Sequence, residues 1–121
     1  LTMKNNFLAR TANINPTRDE VIVASILEKE IRSKEDMELV SGILWQRLEL
    51  GIPLQVDAVP STYEAFGLPS AAISNPGLVA ITAARSPKAS RYLYYLSDRE
   101  GVTRYASTFE AHKANRLKYG I

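Results

Sequence analysis

The stretch Thr17-Arg18-Asp19-Glu20-Val21-Ile22-Val23-Ala24-Ser25-Ile26-Leu27-Glu28-Lys29-Glu30 decides the reading of this chain. Thr17 and Glu20 have the spacing of a capping box, in which the N-cap hydroxyl and the third helical carboxylate satisfy each other's backbone donors. A helix is expected from there to about Arg32. At roughly 100° per residue, Val23, Ile26 and Leu27 fall on one side, flanked by Ile22, Ala24 and Ile31. Ser25, Glu28, Lys29 and Arg32 fall on the other. Glu30 lies seven residues after Val23, four after Ile26 and three after Leu27. It therefore projects from the middle of the apolar stripe, whereas Glu28 points to water.

A carboxylate on an apolar stripe loses hydration, and desolvation favours the neutral acid. A glutamic acid kept protonated near neutral pH is a general acid for a glycosidic oxygen. The alternative is structural: Glu30 pairs with a buried arginine, for which Arg47 on the following helix is the obvious partner, or caps another element.

Outward from this helix, Ser33-Lys34-Glu35-Asp36 reads as a second helix start, with acids in the first turn. That helix is expected to reach Leu50, with Gly51 at its end and Pro53 preventing continuation. Residues 54–59 are short and suit an extended segment. Residues 60–77 read as a loop. Asn75-Pro76 resembles an N-cap followed by proline at the first helical position, opening a short helix to about Arg85. Residues 92–96 suit a buried strand and 102–106 a return strand, with a turn at 98–101. Ser107-Thr108-Phe109-Glu110 repeats the capping-box spacing before a final helix. Upstream, residues 1–12 suit the end of a helix and residues 13–16 a turn. The fold class is therefore α+β: a helical hairpin carrying Glu30, packed with a short helix, a β-hairpin and a C-terminal helix, as one domain over residues 1–121.

Composition narrows the chemistry. The chain has no cysteine and one histidine, His112. A disulfide scaffold, a thiolate zinc site, a cysteine nucleophile and a multi-histidine metal site are excluded, and no metal or cofactor is expected. The net charge of +2 comes without a basic stripe interleaved with aromatics, so no nucleic-acid partner is expected. No apolar run approaches a membrane span, and the start has no signal-peptide pattern.

Seven motifs in fixed order then carry a resemblance. Ala24-Ser25-Ile26-Leu27-Glu28-Lys29-Glu30 resembles the A-S-I-[VI]-E-K-E signature of the YceG-like (MltG) endolytic murein transglycosylases. Trp45-Gln46-Arg47-Leu48 is similar to the family's N-R-L segment. Leu54-Gln55-Val56-Asp57-Ala58 is similar to L-Q-[ST]-D-[AP]. Thr62-Tyr63 and Gly67-Leu68-Pro69 resemble N-T-Y and G-L-P-P. Ile73-Ser74-Asn75-Pro76-Gly77 matches I-x-N-P-G, Tyr92-Leu93-Tyr94-Tyr95 resembles Y-L-Y-F, and Glu110-Ala111-His112 falls where the family has E-H. The chain departs from the pattern at Gln46 and Ser61, where the family has asparagine. The family also has a longer insertion between the Asp57 and Thr62 positions. Either this loop is minimal, or Val59 and Pro60 are not bonded neighbours in the whole protein.

The resemblance implies that Glu30, the second glutamate of E-K-E, is catalytic. It implies non-hydrolytic cleavage of the β-1,4 bond between N-acetylmuramic acid and N-acetylglucosamine, leaving a 1,6-anhydro-muramic end. It also implies peptidoglycan strands and cell-wall synthases as partners. An upstream LysM-like region and a membrane anchor, neither within these residues, would hold the protein at the outer face of the bacterial inner membrane. Gln55, Tyr63 and Asn75 are the expected substrate contacts, because amides and a phenol can hydrogen-bond N-acetyl and hydroxyl groups in a loop-rich half. Asp57 is a further candidate, acting electrostatically. For His112 a structural hydrogen bond is expected, and residues 92–95 are expected to be core strand rather than a sugar platform. Two alternatives stay open: hydrolysis of the same bond, and a non-catalytic glycan-binding or scaffold module.

Overall fold

The computed structural model describes residues 16–56, 59–63 and 67–119. The N-terminal helix end, the turn at 13–16 up to residue 15, and Asp57 lie outside the described residues.

Helix α1 spans Arg18–Glu30 and opens on the capping box: Thr17 Oγ1 accepts from the Glu20 N–H, and Glu20 accepts from the Thr17 N–H at 2.8 Å. It stops two residues earlier than its periodicity suggests. Ile31 is extended and buried, and its N–H bonds to the Leu27 carbonyl. The reason is the next helix. Ser33 must also be extended to cap α2, Lys34–Leu50, by accepting from the Asp36 N–H. With only residues 31–33 for the reversal, α1 has no room for another turn, and Glu30 becomes its last residue. Helix α2 ends on Gly51 at φ 71°, a left-handed position that suits glycine.

Residues 52–56 form no strand, contrary to the extended expectation. Leu54 and Val56 are both buried, and Gln55 between them turns to φ 56°. A 3-10 turn at Pro60–Tyr63 follows within the expected loop. Its Thr62 hydroxyl holds the segment, accepting from the Val56 N–H at 2.8 Å and donating to the Val59 carbonyl at 2.7 Å. Helix α3 spans Leu78–Arg85. Its N-cap is Gly77, not Asn75, and no side chain of its own caps it. The cap is tertiary: the Gly77 N–H donates to Glu28 Oε1 at 2.7 Å. That bond places a carboxylate at the helix N-terminus, where the dipole favours it.

Strands β1, Tyr94–Ser97, and β2, Thr103–Ala106, pair antiparallel with Tyr95 opposite Tyr105. Asp98 organises their turn, accepting from the Glu100 and Val102 N–H groups and from the Arg104 guanidinium. The Val102 bond, aided by Arg104, holds its carboxyl below the usual carboxylate range. Helix α4, Phe109–Lys118, begins one residue later than the capping-box spacing indicates, with Thr108 rather than Ser107 as N-cap.

The core lies where α1 packs on α3 and α2, and the hairpin sits between α2 and α4. Val23, Ile26, Leu27, Val40, Leu44 and Ile81 are fully buried there. Each contributes about 1.5–3 kcal/mol relative to exposure. Ser25 corrects the helical wheel: it is buried rather than on the polar face. The 70–77 loop covers it. The Ile73 N–H donates to Ser25 Oγ at 3.0 Å, and Ser74 Oγ donates to the Ser25 carbonyl at 2.7 Å. Gly42 is required by close approach. A Cβ there would stand 2.1 Å from the Lys88 carbonyl oxygen, on the chain whose Lys88 N–H bonds to the Glu38 carbonyl.

On the same face of the hairpin as Tyr95, the Tyr105 hydroxyl donates to Asp36 Oδ1 of α2 at 2.5 Å, and its ring stacks on Tyr92. Burial, and then the hydrogen bond to Asp36, push the Tyr105 phenol well above its ordinary range.

Candidate active site

The end of α1 is fixed by β1. The Tyr95 hydroxyl donates to Glu30 Oε1 at 3.2 Å, and Ser97 Oγ donates to the Glu30 main-chain carbonyl at 3.1 Å. Residues 95 and 97 share one face of a strand because side chains alternate with period two. One strand face thus holds both the backbone and the carboxylate of Glu30, which is itself half-buried.

Arg47, the expected structural partner, is not bonded to Glu30. Arg47 is buried, but its guanidinium is used elsewhere. Nε donates to the Pro53 carbonyl at 2.9 Å and Nη1 to the Leu93 carbonyl at 2.7 Å. The same group lies 4.9 Å from the Tyr94 ring centre. Tyr94 in turn stacks on His112, with ring centres 4.9 Å apart and an angle of 21°. This Arg47–Tyr94–His112 stack carries the buried His112 ring from α4 towards Glu30.

Glu30, Gln55, Tyr63, Tyr95, Ser97, His112 and Arg116 line one cleft of about 60 Å³. It is a notch for one reacting group, with any longer ligand lying across its mouth. Gln55 reaches it from a left-handed backbone, a conformation that costs a non-glycine residue on the order of 1 kcal/mol or more. The segment is held in that conformation by the Gln55 N–H donating to the Thr62 carbonyl at 3.2 Å and the Val56 N–H donating to the Thr62 hydroxyl at 2.8 Å. Tyr63 comes from the end of the 3-10 turn and is exposed. His112 and Arg116, four residues apart, share one face of α4.

Three expected site residues are therefore brought together: Glu30, Gln55 and Tyr63. Asn75 is not among the residues lining the notch; it is exposed in the chain leading into α3. Asp57 lies outside the described residues. His112 has a structural stacking role and also lines the notch. The sequence reading missed Tyr95, Ser97 and Arg116. Strand alternation could have grouped the first two, and helical spacing could have joined Arg116 to His112. Which face meets Glu30 is a tertiary fact.

Two larger hollows lie elsewhere. One, of about 380 Å³, is lined by Asp98, Arg99, Glu100, Arg104, Lys118 and Tyr119, and its Asp98 and Arg104 bind each other at 3.2 Å. The other, of about 310 Å³, lies between Trp45 and Lys88. Among the described residues, no group of three or more His, Cys, Asp or Glu is placed to hold a metal, and no helix is long and apolar enough to cross a membrane.

The sequence model of the YceG-like family matches residues 2–60 and 61–118. An endolytic murein transglycosylase of Bacillus subtilis (strain 168) is 26% identical over 119 residues, covering 80% of this chain and 33% of the relative. One of Streptococcus pneumoniae serotype 2 (strain D39) is 28% identical over 130 residues, covering 84% of this chain and 24% of the relative. The crystal structure of a yceG-like protein from Listeria monocytogenes superposes with a TM-score of 0.75 at 24% identity, over 94% of this chain and 44% of that one. The superposition supports the α+β fold. The chain spans a third or less of the length of the curated relatives it matches.

Proposed function

The chain belongs to the YceG-like family, and on that premise we propose that it carries the catalytic site of an endolytic lytic transglycosylase acting on peptidoglycan. The observation that carries this reading is the setting of Glu30. Its carboxyl lines an open notch and is held by a phenol, while Arg47, its alternative core partner, is committed to backbone carbonyls.

The reaction starts with Glu30 protonated. The proton passes to the oxygen of the β-1,4 bond between N-acetylmuramic acid and N-acetylglucosamine as the C1–O bond breaks. Positive charge develops at the muramic C1. The muramic C6 hydroxyl attacks that carbon, and its proton returns to the Glu30 carboxylate. One bond breaks, one forms, no water is consumed, and the enzyme regains its starting state. An ordinary glycosidase needs a second carboxylate to serve as nucleophile or to activate water. Among the described residues lining the notch, Glu30 is the sole carboxylate, which favours the intramolecular route over hydrolysis.

Gln55 and Tyr63 supply amide and phenol groups at the mouth for N-acetyl and hydroxyl groups of the strand. Asn75 would contribute only if the strand extends beyond the notch, and Asp57 stays a proposed electrostatic contributor. A peptidoglycan substrate is consistent with action outside the cytoplasm, and a position at the outer face of the inner membrane with cell-wall synthases as partners is part of this proposal.

The test is digestion of purified glycan strands by the wild type and by Glu30→Gln, with mass spectrometry of the ends. The wild type should release anhydro-muramic ends, and the variant should lose at least about 100-fold in rate, the scale of general acid–base catalysis. Undiminished release by Glu30→Gln would sink the assignment. Products heavier by one water would make the enzyme a hydrolase, and binding without cleavage would make the chain a glycan-binding module.

A further inference from the structure

We infer that Arg116 recognises a carboxylate of the glycan strand, and so makes the notch selective for muramic-acid strands over neutral N-acetylglucosamine polymers. The inference rests on the proposed glycan substrate and names which of its groups this chain reads.

Arg116 is half-buried on α4 and lines the notch that holds Glu30. It makes no hydrogen bond or ion pair with any described residue, and Glu30 is not its partner within 4.0 Å. Arg32 and Arg91 also show no such bond but are exposed, so what marks Arg116 is that it is half-buried without one. Arg47 donates to two carbonyls, Arg104 binds Asp98, Arg85 approaches Glu20 and Arg18 bonds to the Ser70 carbonyl. A guanidinium partly withdrawn from water gives up hydration that only an acceptor restores. Its planar fork matches a carboxylate by two parallel bonds, and the pairing is charge-assisted.

The notch supplies no such acceptor to Arg116 from the described residues, so the ligand is the place to look for one. Of the two sugars in the strand, only the muramic residue bears an acid. Its lactyl ether ends in a carboxylate in peptide-free strands. In peptide-bearing strands that group is an amide, and the carboxylates lie along the stem. Either source presents the same chemistry. A neutral polymer of N-acetylglucosamine presents none. His112, four residues earlier on the same helix face, walls the notch beside Arg116.

The experiment measures binding by calorimetry, with no cleavage required. The 121-residue protein and its Arg116→Gln and Arg116→Lys variants are titrated with a short peptide-free muroglycan, the same glycan with lactyl carboxylates converted to amides, and a peptide-bearing muroglycan. The wild type should bind the free acid about tenfold more tightly than its amide, the scale of one charge-assisted contact. Arg116→Gln should erase that preference to within about twofold, and Arg116→Lys, which keeps the charge but not the fork, should retain only part of it. A preference for the peptide-bearing glycan that Arg116→Gln erases assigns the carboxylate to the stem. Equal wild-type binding of acid and amide with no gain on peptide, a preference that survives Arg116→Gln, or no binding of any glycan overturns the inference. Failure here leaves the role of Glu30 to its own cleavage test, and retained cleavage by Glu30→Gln leaves the carboxylate preference measurable.

Discussion

The Tyr95 hydroxyl donates to Glu30 Oε1 at 3.2 Å, joining the first strand of the hairpin to the last residue of α1. The two residues are 65 apart in sequence. Ser97, on the same strand face, adds the bond to the Glu30 carbonyl. In the proposed reaction Glu30 delivers and recovers one proton, and a fixed direction would favour that, because misplacement of a reacting group costs rate steeply.

Replacing Tyr95 by Phe removes that bond and keeps the ring against the core. If the bond positions Glu30, kcat should fall about 3- to 30-fold, with KM changed less than about twofold. The pH profile of kcat should also move, since Glu30 loses a donor. Steady-state release of anhydro ends across pH checks this, and an unchanged profile with unchanged kcat would remove Tyr95 from the mechanism.

Arg47→Met keeps much of the volume but strips the donors from the Pro53 and Leu93 carbonyls. It also removes the cation from the Tyr94 ring. Each carbonyl left buried without a partner costs about 1–3 kcal/mol, so a loss of about 2–5 kcal/mol is expected. Urea unfolding should show a lower midpoint at unchanged slope. A neutral result would mean that water replaces the guanidinium at both carbonyls.

Tyr105 gives a pH dependence with a definite sign. Its phenol is raised in the folded state above the ordinary value of 10.0. Below that pH both folded and unfolded chains keep the proton, and the contribution is fully present. Above it the unfolded chain releases the proton and the folded chain retains it, so stability falls as pH rises. The slope is at most about 1.4 kcal/mol per pH unit, reduced because the side chain is partly solvated. Tyr105→Phe should flatten the dependence above pH 10 in denaturation midpoints. An identical alkaline slope in both proteins would contradict this origin.

Local rules carry far in this chain. The capping box at Thr17 and Glu20, the Ser33 cap, the Gly51 stop and the two short strands all rest on interactions within a few residues, and each forms near its expected place. The ordered motifs around Glu30 carried the family. Where local rules failed, a distant partner had taken over the role. Asn75 does not cap α3, because Glu28 on α1 does. Ser25 is not on a solvent face, because the 70–77 loop lies over it and bonds to it.

The sequence by itself determined the elements, their order and the oddly placed acid, since periodicity and capping are properties of neighbouring residues. It left Glu30 with two environments, a core ion pair with Arg47 or an open site. Only the tertiary structure decided between them. The choice depends on where β1 and α4 bring Tyr95, His112 and Arg116, and on Arg47 finding its acceptors in the chain at Pro53 and Leu93. Such contacts join residues tens of positions apart, and no local pattern encodes which of them meet.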